Sequence, residues 1–429
     1  MSILREVLAR RFDDVRAQTI ALAAPLGVDE QLAQAFPDAS PTKWHLAHTT
    51  WFFERFVLRE HAPGYEPVDP RYDYLFNSYY EAVGDRQPRA ERSLIVRPTL
   101  PEVHAYRARV DEAMRRLLGA APREEYDRSA HAIELGTHHE EQHQELLLTD
   151  VKPLLAGSPM HLGHGAARPS DAPGATASAP TWIARDGGLV EIGCPPPSSR
   201  DSAGFAFDNE SPRHRVFLEP FELASRCVTA REYLAFVDDG GYTRPELWLS
   251  DGWTTVREQG WSAPLYWRRG DAGWREHTLR GREPLALDAP VCHVSFFEAD
   301  AFARWAGARL PTEAEWETIA SERLAAGGRI EGNFVESRAL HPLPATGSGA
   351  TQLFGDAWEW TSSAYAPYPR YSPFAGAFAE YNGKFMCSQM VLRGGSCLSP
   401  AAHLRATYRN FFPPSARWQM SGIRLARWS

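Results

Sequence analysis

The chain has 429 residues, 43% of them apolar and 23% charged. That balance belongs to a globular protein and excludes disorder, collagen and coiled coil as the dominant class. Its 46 Lys and Arg against 54 Asp and Glu give a net charge of −8, which offers no general attraction to nucleic acid or to an anionic membrane.

At roughly 100–200 residues per domain, this length predicts two or three domains. The N-terminus, MSILREVLARRFDD, has acidic residues and no apolar core, so no signal peptide is expected. No run of 18 apolar residues occurs, so no membrane span is expected. The cysteines are Cys194, Cys227, Cys292, Cys387 and Cys397, with no CxxC pair. Their pattern predicts a reducing, cytoplasmic setting rather than a disulfide scaffold.

In chain order, residues 2–24 carry apolar positions at helical spacing. Ser40-Pro41 predicts an N-cap followed by proline at the first helical position, for a helix from Trp44 to about Arg59. The long segment 61–98 mixes aromatics with Arg and is a candidate active-site loop. Thr99-Leu-Pro-Glu102 is a capping box for a helix to about Leu118, and a last helix runs from about Glu124 to Leu155. Four such helices predict a four-helix bundle over residues 1–156. Residues 157–180 are rich in Gly, Ala, Pro and Ser and read as a linker.

From 181 to 429 short β-like runs alternate with Gly, Pro and Trp: LVEIG, HRVFLEPFELA, PVCHVSF, QMVLRGGS and GIRLA. Two helical stretches stand out, Ala230–Val237 and Phe297–Ala306 followed by PTEAEWETIA. This half predicts an irregular α+β domain. The whole is an α domain followed by an α+β domain.

The strongest chemical signal is HHEEQHQE at 138–145. His139 and His143 stand at i, i+4, on one face of a helix, where both can bind one ion. Ile133, Leu135 and Leu146–Leu148 flank them, so this helix is largely buried and its imidazoles need partners. His48 lies on the second helix among apolar neighbours, and an antiparallel bundle can bring it opposite that pair. Three imidazoles on one side of a metal leave positions open for substrate or O₂. His45 and His138 are weaker ligand candidates. Glu140, Glu141 and Glu145 are rival ligands, or partners that fix a tautomer. Imidazoles alone leave Zn, Fe, Ni and Cu open.

Tyr79 and Tyr80, in Asn77-Ser78-Tyr79-Tyr80, offer phenols that can donate a proton, or else pack as core. Arg86, Arg89 and Arg92 can hold a carboxylate bidentately, or form a solvated basic stretch. GDAWEW at 355–360, LRGGS at 392–396 and YRNFF at 408–412 set aromatic faces beside polar anchors. Such faces suit a quaternary ammonium ligand, or a Trp-rich core.

The segments WHLAHTTWFFE and HEEQHQELLLTD resemble a DinB-type bundle. RPELWLSDGW, LPTEAEWE, GDAWEW, VLRGGS and YRNFF followed by SGIRLA resemble the formylglycine-generating-enzyme fold, a C-type-lectin-like domain. In that order they resemble the ergothioneine-biosynthesis sulfoxide synthases of EgtB type. The resemblance implies Fe(II) on His48, His139 and His143, with O₂ as co-substrate. It implies that a thiol sulfur is joined to the imidazole C2 of hercynine and oxidised to a sulfoxide. Gln142 matches a contact to the substrate imidazole. Tyr79 and Tyr80 match the loop tyrosines of the cysteine-using branch, and Arg89 and Arg92 the holders of the thiol substrate's carboxylate. Asn410, Phe411 and Phe412 match the C-terminal substrate wall. Phe412 stands where the γ-glutamylcysteine-using branch carries Asp, which favours cysteine or another small donor. Two stretches depart from the pattern, VKPLLAGSPMHLGHG after Asp150 and CPPPSSRDSAG at 194–204. The selenoneine synthases, which join hercynine to a selenosugar, are the alternative reading. A DinB-type metal-dependent thiol transferase is the second, and a non-enzymatic binding module the third.

Overall fold

The computed structural model describes residues 2–120, 122–160, 162–165, 177–195 and 204–429. It divides into two compact units, Met1–Met160 and His161–Ser429.

The first unit is helical: α1 (Ser2–Ala23), α2 (Val28–Leu32), α3 (Thr42–Phe53), α4 (Arg59–His61), α5 (Tyr72–Phe76), α6 (Leu100–Ala120) and α7 (Arg123–Gly157). A π-helical turn, Glu54–Leu58, joins α3 to α4, and a 3-10 turn, Arg89–Leu94, precedes α6. The expected bundle is α1, α3, α6 and α7, with α1 on α7 and α3 on both α6 and α7. The Thr99–Glu102 box forms: the Thr99 N–H donates to Glu102 Oε2 at 2.6 Å, and the Glu102 N–H returns to Thr99 Oγ1 at 3.4 Å. Ser40 does not cap α3. Pro41 takes the cap position, and Ser40 instead gives its N–H to Asp150 Oδ2 at 2.7 Å and accepts from Arg92 at 2.7 Å. Helix α7 reaches the first residue of the expected linker; residues 166–176 of that linker lie outside the described residues.

Every residue of α3 is buried. A helix enclosed on all sides needs an internal partner for each polar group. Lys43 Nζ therefore donates to the carbonyls of Ile95 and Pro98, and Thr50 Oγ1 to its own helix at Leu46. Gly136 lets α7 close on α3: a Cβ there would sit 2.6 Å from Phe53 Cε1 and 3.1 Å from Phe52. At the same level a buried ionic knot ties three helices. Arg16 of α1 pairs with Asp111 of α6 at 2.7 Å and Glu140 of α7 at 2.8 Å, and Arg107 of α6 grips the other Glu140 oxygen.

The second unit carries β1 (Trp182–Arg185), β2 (Gly188–Ile192), β3 (His214–Leu218), β4 (Phe221–Ala224), α8 (Ala230–Asp238), α9 (Ser250–Gln259) and β5 (Trp267–Gly270). It continues with β6 (Gly273–Thr278), β7 (Gly281–Pro284), α10 (Phe296–Trp305), α11 (Glu313–Ala325), β8 (Trp358–Ala364), β9 (Met390–Arg393), β10 (Asn410–Phe412), β11 (Ser421–Gly422) and β12 (Ala426–Trp428). The sheets are β1-β4-β12, β10-β9-β8-β11, β2-β3 and β5-β6-β7. Strand β9 stops just before Gly394, whose φ of 96° and close approach to the Leu353 carbonyl leave no room for a side chain.

The expected run PVCHVSF is not a strand. Only an isolated bridge, Thr229 to Pro290, forms there, and His293 sits at φ 61°, which breaks an extended run. GIRLA is likewise interrupted, with β11 and β12 at its ends and Arg424 drawn inward onto Glu359 at 2.7 Å. Trp358 and Trp360 of GDAWEW are 2% and 0% exposed. Arg393 of VLRGGS pairs with Glu313 and Glu317, both at 2.9 Å. These residues form the core of the unit and present no face to a cation.

Candidate metal centre

Helix α3 supplies His48 and α7 supplies His139 and His143, all three buried. Their candidate ligand atoms lie within 4.8 Å of one another. His48 Nε2 and His139 Nε2 are 3.1 Å apart. The Phe76 carbonyl, at the end of α5, accepts from His48 Nδ1 at 2.6 Å. The lone pair of His48 is therefore on Nε2, facing His139. Trp44 stacks on His48 with centroids 4.5 Å apart, and Phe52 on His139 at 4.5 Å. These aromatic walls pack flat against the two imidazole rings.

Burial pushes the His139 imidazole down to about 3, despite the opposing pull of Glu140. Burial also holds His48 and His143 well below the ordinary histidine range, with each helped by His139. All three are neutral at pH 7, the form that ligates a metal. Three neutral imidazoles converging in a buried pocket, with two nitrogens face to face, fit a divalent transition metal.

The neighbouring polar groups fall into place around this set. Glu140 is no ligand: Arg16 and Arg107 occupy both its oxygens. Burial alone would raise its pKa, but Arg107 and Arg16 outweigh that and hold it at about 2. Glu141 pairs with Arg11 at 2.7 Å and with His138 at 3.1 Å. His45 bridges His143 Nδ1 at 2.9 Å and Asp150 Oδ2 at 3.1 Å. Gln142 is half-buried on α7.

Arg92 is 2% exposed, with its guanidinium 3.4 Å from the Trp44 ring centroid. It donates to the Ser40 hydroxyl, and its buried Nε has no acceptor among the described residues. Burial, with repulsion from Arg89, pulls its pKa down to about 8. It is still mostly a cation at neutral pH, and among the described residues no carboxylate is bonded to it. Arg89 is exposed, and Arg86 is occupied by Glu81. Tyr80 is fully buried against Phe56 at 4.9 Å and Trp51 at 6.1 Å, whereas Tyr79 beside it is half-buried. In the second unit Asn410, Phe411 and Phe412 form β10, all half-buried. Phe411 stacks on Tyr365 at 4.0 Å, and Phe412 meets Trp418 edge-on at 5.8 Å.

Sequence reasoning did not single out the His45–Asp150 bridge, the Arg16–Arg107–Asp111–Glu140 knot, α9 or the β5-β6-β7 sheet. The signal for the first was present: a carboxylate seven residues after His143 lies on nearly the same face of α7.

Residues 11–147 match the DinB superfamily, and residues 169–429 match the sulfatase-modifying factor enzyme 1-like domain. The fold and site thus define a class, a DinB-type bundle with a three-histidine centre followed by a sulfatase-modifying-factor domain. The chain is 33% identical to hercynine oxygenase of Mycolicibacterium thermoresistibile over 449 residues, covering 98% of this chain and 95% of that protein. It is 33% identical to the hercynine oxygenase of Mycolicibacterium smegmatis over 99% of each chain, and 34% identical to that of Mycobacterium tuberculosis over 98% of each. The chain belongs to the EgtB-type ergothioneine-biosynthesis sulfoxide synthase family and is an enzyme.

Proposed function

We propose that the enzyme is an Fe(II)-dependent oxygenase that joins the sulfur of cysteine, or of a similar small thiol, to the imidazole C2 of hercynine. One O₂ is consumed: the C–H and S–H bonds break, a C–S bond forms, one oxygen stays on sulfur as the sulfoxide, and the other leaves as water. The observation that carries this reading is the buried set of neutral imidazoles His48, His139 and His143, in a chain whose full-length relatives are named hercynine oxygenase.

Those three residues would hold the iron, which when bound supplies one-electron chemistry toward O₂. The protein's own groups do the rest. Arg92 binds the carboxylate of the thiol substrate, an anion that compensates its buried charge. Arg89, exposed nearby in sequence, attracts that anion. Tyr79 delivers the proton, since its half-buried phenol is more open than that of Tyr80. Gln142 holds the hercynine imidazole, and in the second unit Asn410, Phe411 and Phe412 of β10 offer a polar group and two aromatic faces. A trimethylammonium group donates no hydrogen bonds, so aromatic faces suit it. Holding two substrates at one centre supplies the proximity that a bimolecular step lacks.

The buried Arg92 cation favours a carboxylate-bearing thiol over a selenosugar that lacks a carboxylate. Among the described residues no helix is long and apolar enough to cross a membrane. None of the five cysteines forms a disulfide, which suits a reducing compartment, and we place the enzyme in the cytoplasm.

The test is anaerobic loading with Fe(II), then O₂ with hercynine and either cysteine or a selenosugar, read by product mass. The expected product is the hercynine–cysteine sulfoxide. A selenium-containing product alone would replace the donor assignment, and no coupled product with either would overturn the function.

A further inference from the structure

The metal-centre reading leaves one buried chain of polar groups without a role. Asp150, on α7, and His45, on α3, are 8% and 2% exposed. Asp150 Oδ2 accepts two bonds, from the Ser40 N–H at 2.7 Å and from His45 Nε2 at 3.1 Å. The other ring nitrogen of His45, Nδ1, lies 2.9 Å from Nδ1 of His143. The proton positions follow from donor and acceptor inventory. A carboxylate only accepts, so the His45 proton is on Nε2. With that proton as its single ring proton, His45 presents a lone pair on Nδ1, and the contact with His143 then calls for a proton on His143 Nδ1. That proton leaves the lone pair of His143 on Nε2.

We propose that Asp150 and His45 are positioning residues that hold His143 in its Nδ1–H tautomer, so that Nε2 is the nitrogen offered to the metal. This inference rests on the metal-centre reading above. It adds a carboxylate–histidine–histidine relay to a ligand whose ring would otherwise be free to choose either nitrogen. His48 is fixed by different means, the Phe76 carbonyl. Partners behind a ligating imidazole orient the ring and set its basicity.

Substitution at Asp150 separates this role from mere packing. In Asp150→Asn, one amide oxygen placed at the Oδ2 position can still accept from both Ser40 and His45. In Asp150→Ala nothing accepts from His45 Nε2, and the His45 proton is free to move to Nδ1, where it opposes the Nδ1–H of His143. Nitrogen-15 NMR of histidine-labelled protein reads the tautomers directly, both metal-free and loaded with diamagnetic Zn(II). Zn(II) affinity is measured in parallel by chelator competition.

The expected result is a protonated Nδ1 on His143 and a protonated Nε2 on His45 in the wild type. Zn(II) affinity should fall by about 10–100-fold in Asp150→Ala and stay within about 3-fold of wild type in Asp150→Asn. An unprotonated Nδ1 on His143, in the metal-free or the loaded protein, would overturn the proposal. So would unchanged affinity in Asp150→Ala. If Asp150→Ala does not fold, the wild-type tautomers still decide the matter. Failure of the wild type to bind Zn(II) or Fe(II) at all would instead sink the metal-centre reading, and the metal-free spectrum would still test the relay.

Discussion

His48 and His139 meet nitrogen to nitrogen, 3.1 Å apart, across the contact between α3 and α7. The Phe76 carbonyl commits the other nitrogen of His48, so the contact sets a lone pair against a second imidazole. Without a metal, His139 can donate its Nε2 proton to that lone pair; with a cation between them, both nitrogens can turn lone pairs toward it. The contact depends on how closely the two helices approach.

Gly136 sets that approach. Alanine is the better helix former, by up to about 1 kcal/mol. Its methyl would nevertheless press on Phe53 and Phe52, and overpacking costs roughly 1–3 kcal/mol. Gly136→Ala should therefore lower the urea midpoint and weaken Fe(II) binding together. A stabilised variant with intact metal affinity would show that the approach is set elsewhere.

The metal-free protein should be acid-labile. Burial depresses the His139 pKa from 6.5 to about 3. Between those values the unfolded chain holds the proton and the folded chain does not. Stability is therefore fully present above 6.5 and is lost as pH falls toward 3. At pH 5 the loss from His139 alone is about 2 kcal/mol, at about 1.4 kcal/mol per unit. Denaturant midpoints at pH 7.5 and pH 5 check this. His139→Phe should flatten the dependence by about that amount; an unchanged slope would contradict the assignment.

Arg92 should show a conflict between stability and function. Its charge is buried with no carboxylate of the described residues bonded to it, so Arg92→Met removes a desolvation cost and keeps much of the packing on Trp44. Thermal stability should hold or rise, while KM for cysteine rises at least about 10-fold, the loss of one charge-assisted contact. A fall in stability with unchanged KM would mean that Arg92 is structural.

The tyrosines should part. Tyr79→Phe should lower kcat by about 10²-fold or more, the usual scale for a proton donor. Tyr80→Phe keeps the ring packed against Phe56 and Trp51 and should leave kcat within about 3-fold. The reverse order would move the proton donor to Tyr80.

The four long helices and the three histidines are legible because periodicity and i, i+4 spacing are local. His139 and His143 share a face by helix geometry alone, and Thr99 and Glu102 cap α6 within one turn. What escapes is decided by distant partners. Ser40 resembles a cap, yet Asp150, 110 residues away, takes its N–H. Glu140 resembles a ligand until Arg16 and Arg107 claim it. PVCHVSF reads as a strand, but His293 turns into the left-handed region. Trp358, Trp360 and Arg393 look like a cation site until Glu313 and Glu317 are seen to hold the arginine inside the core.

The central claim is that His48, His139 and His143 hold one ferrous ion that this enzyme uses. Anaerobic Fe(II) titration of the wild type and of His139→Ala, followed by O₂ uptake with hercynine and cysteine, tests it most directly. The account predicts one iron per chain and substrate-dependent O₂ consumption in the wild type, with both lost in His139→Ala. Full iron binding and turnover in His139→Ala would contradict it.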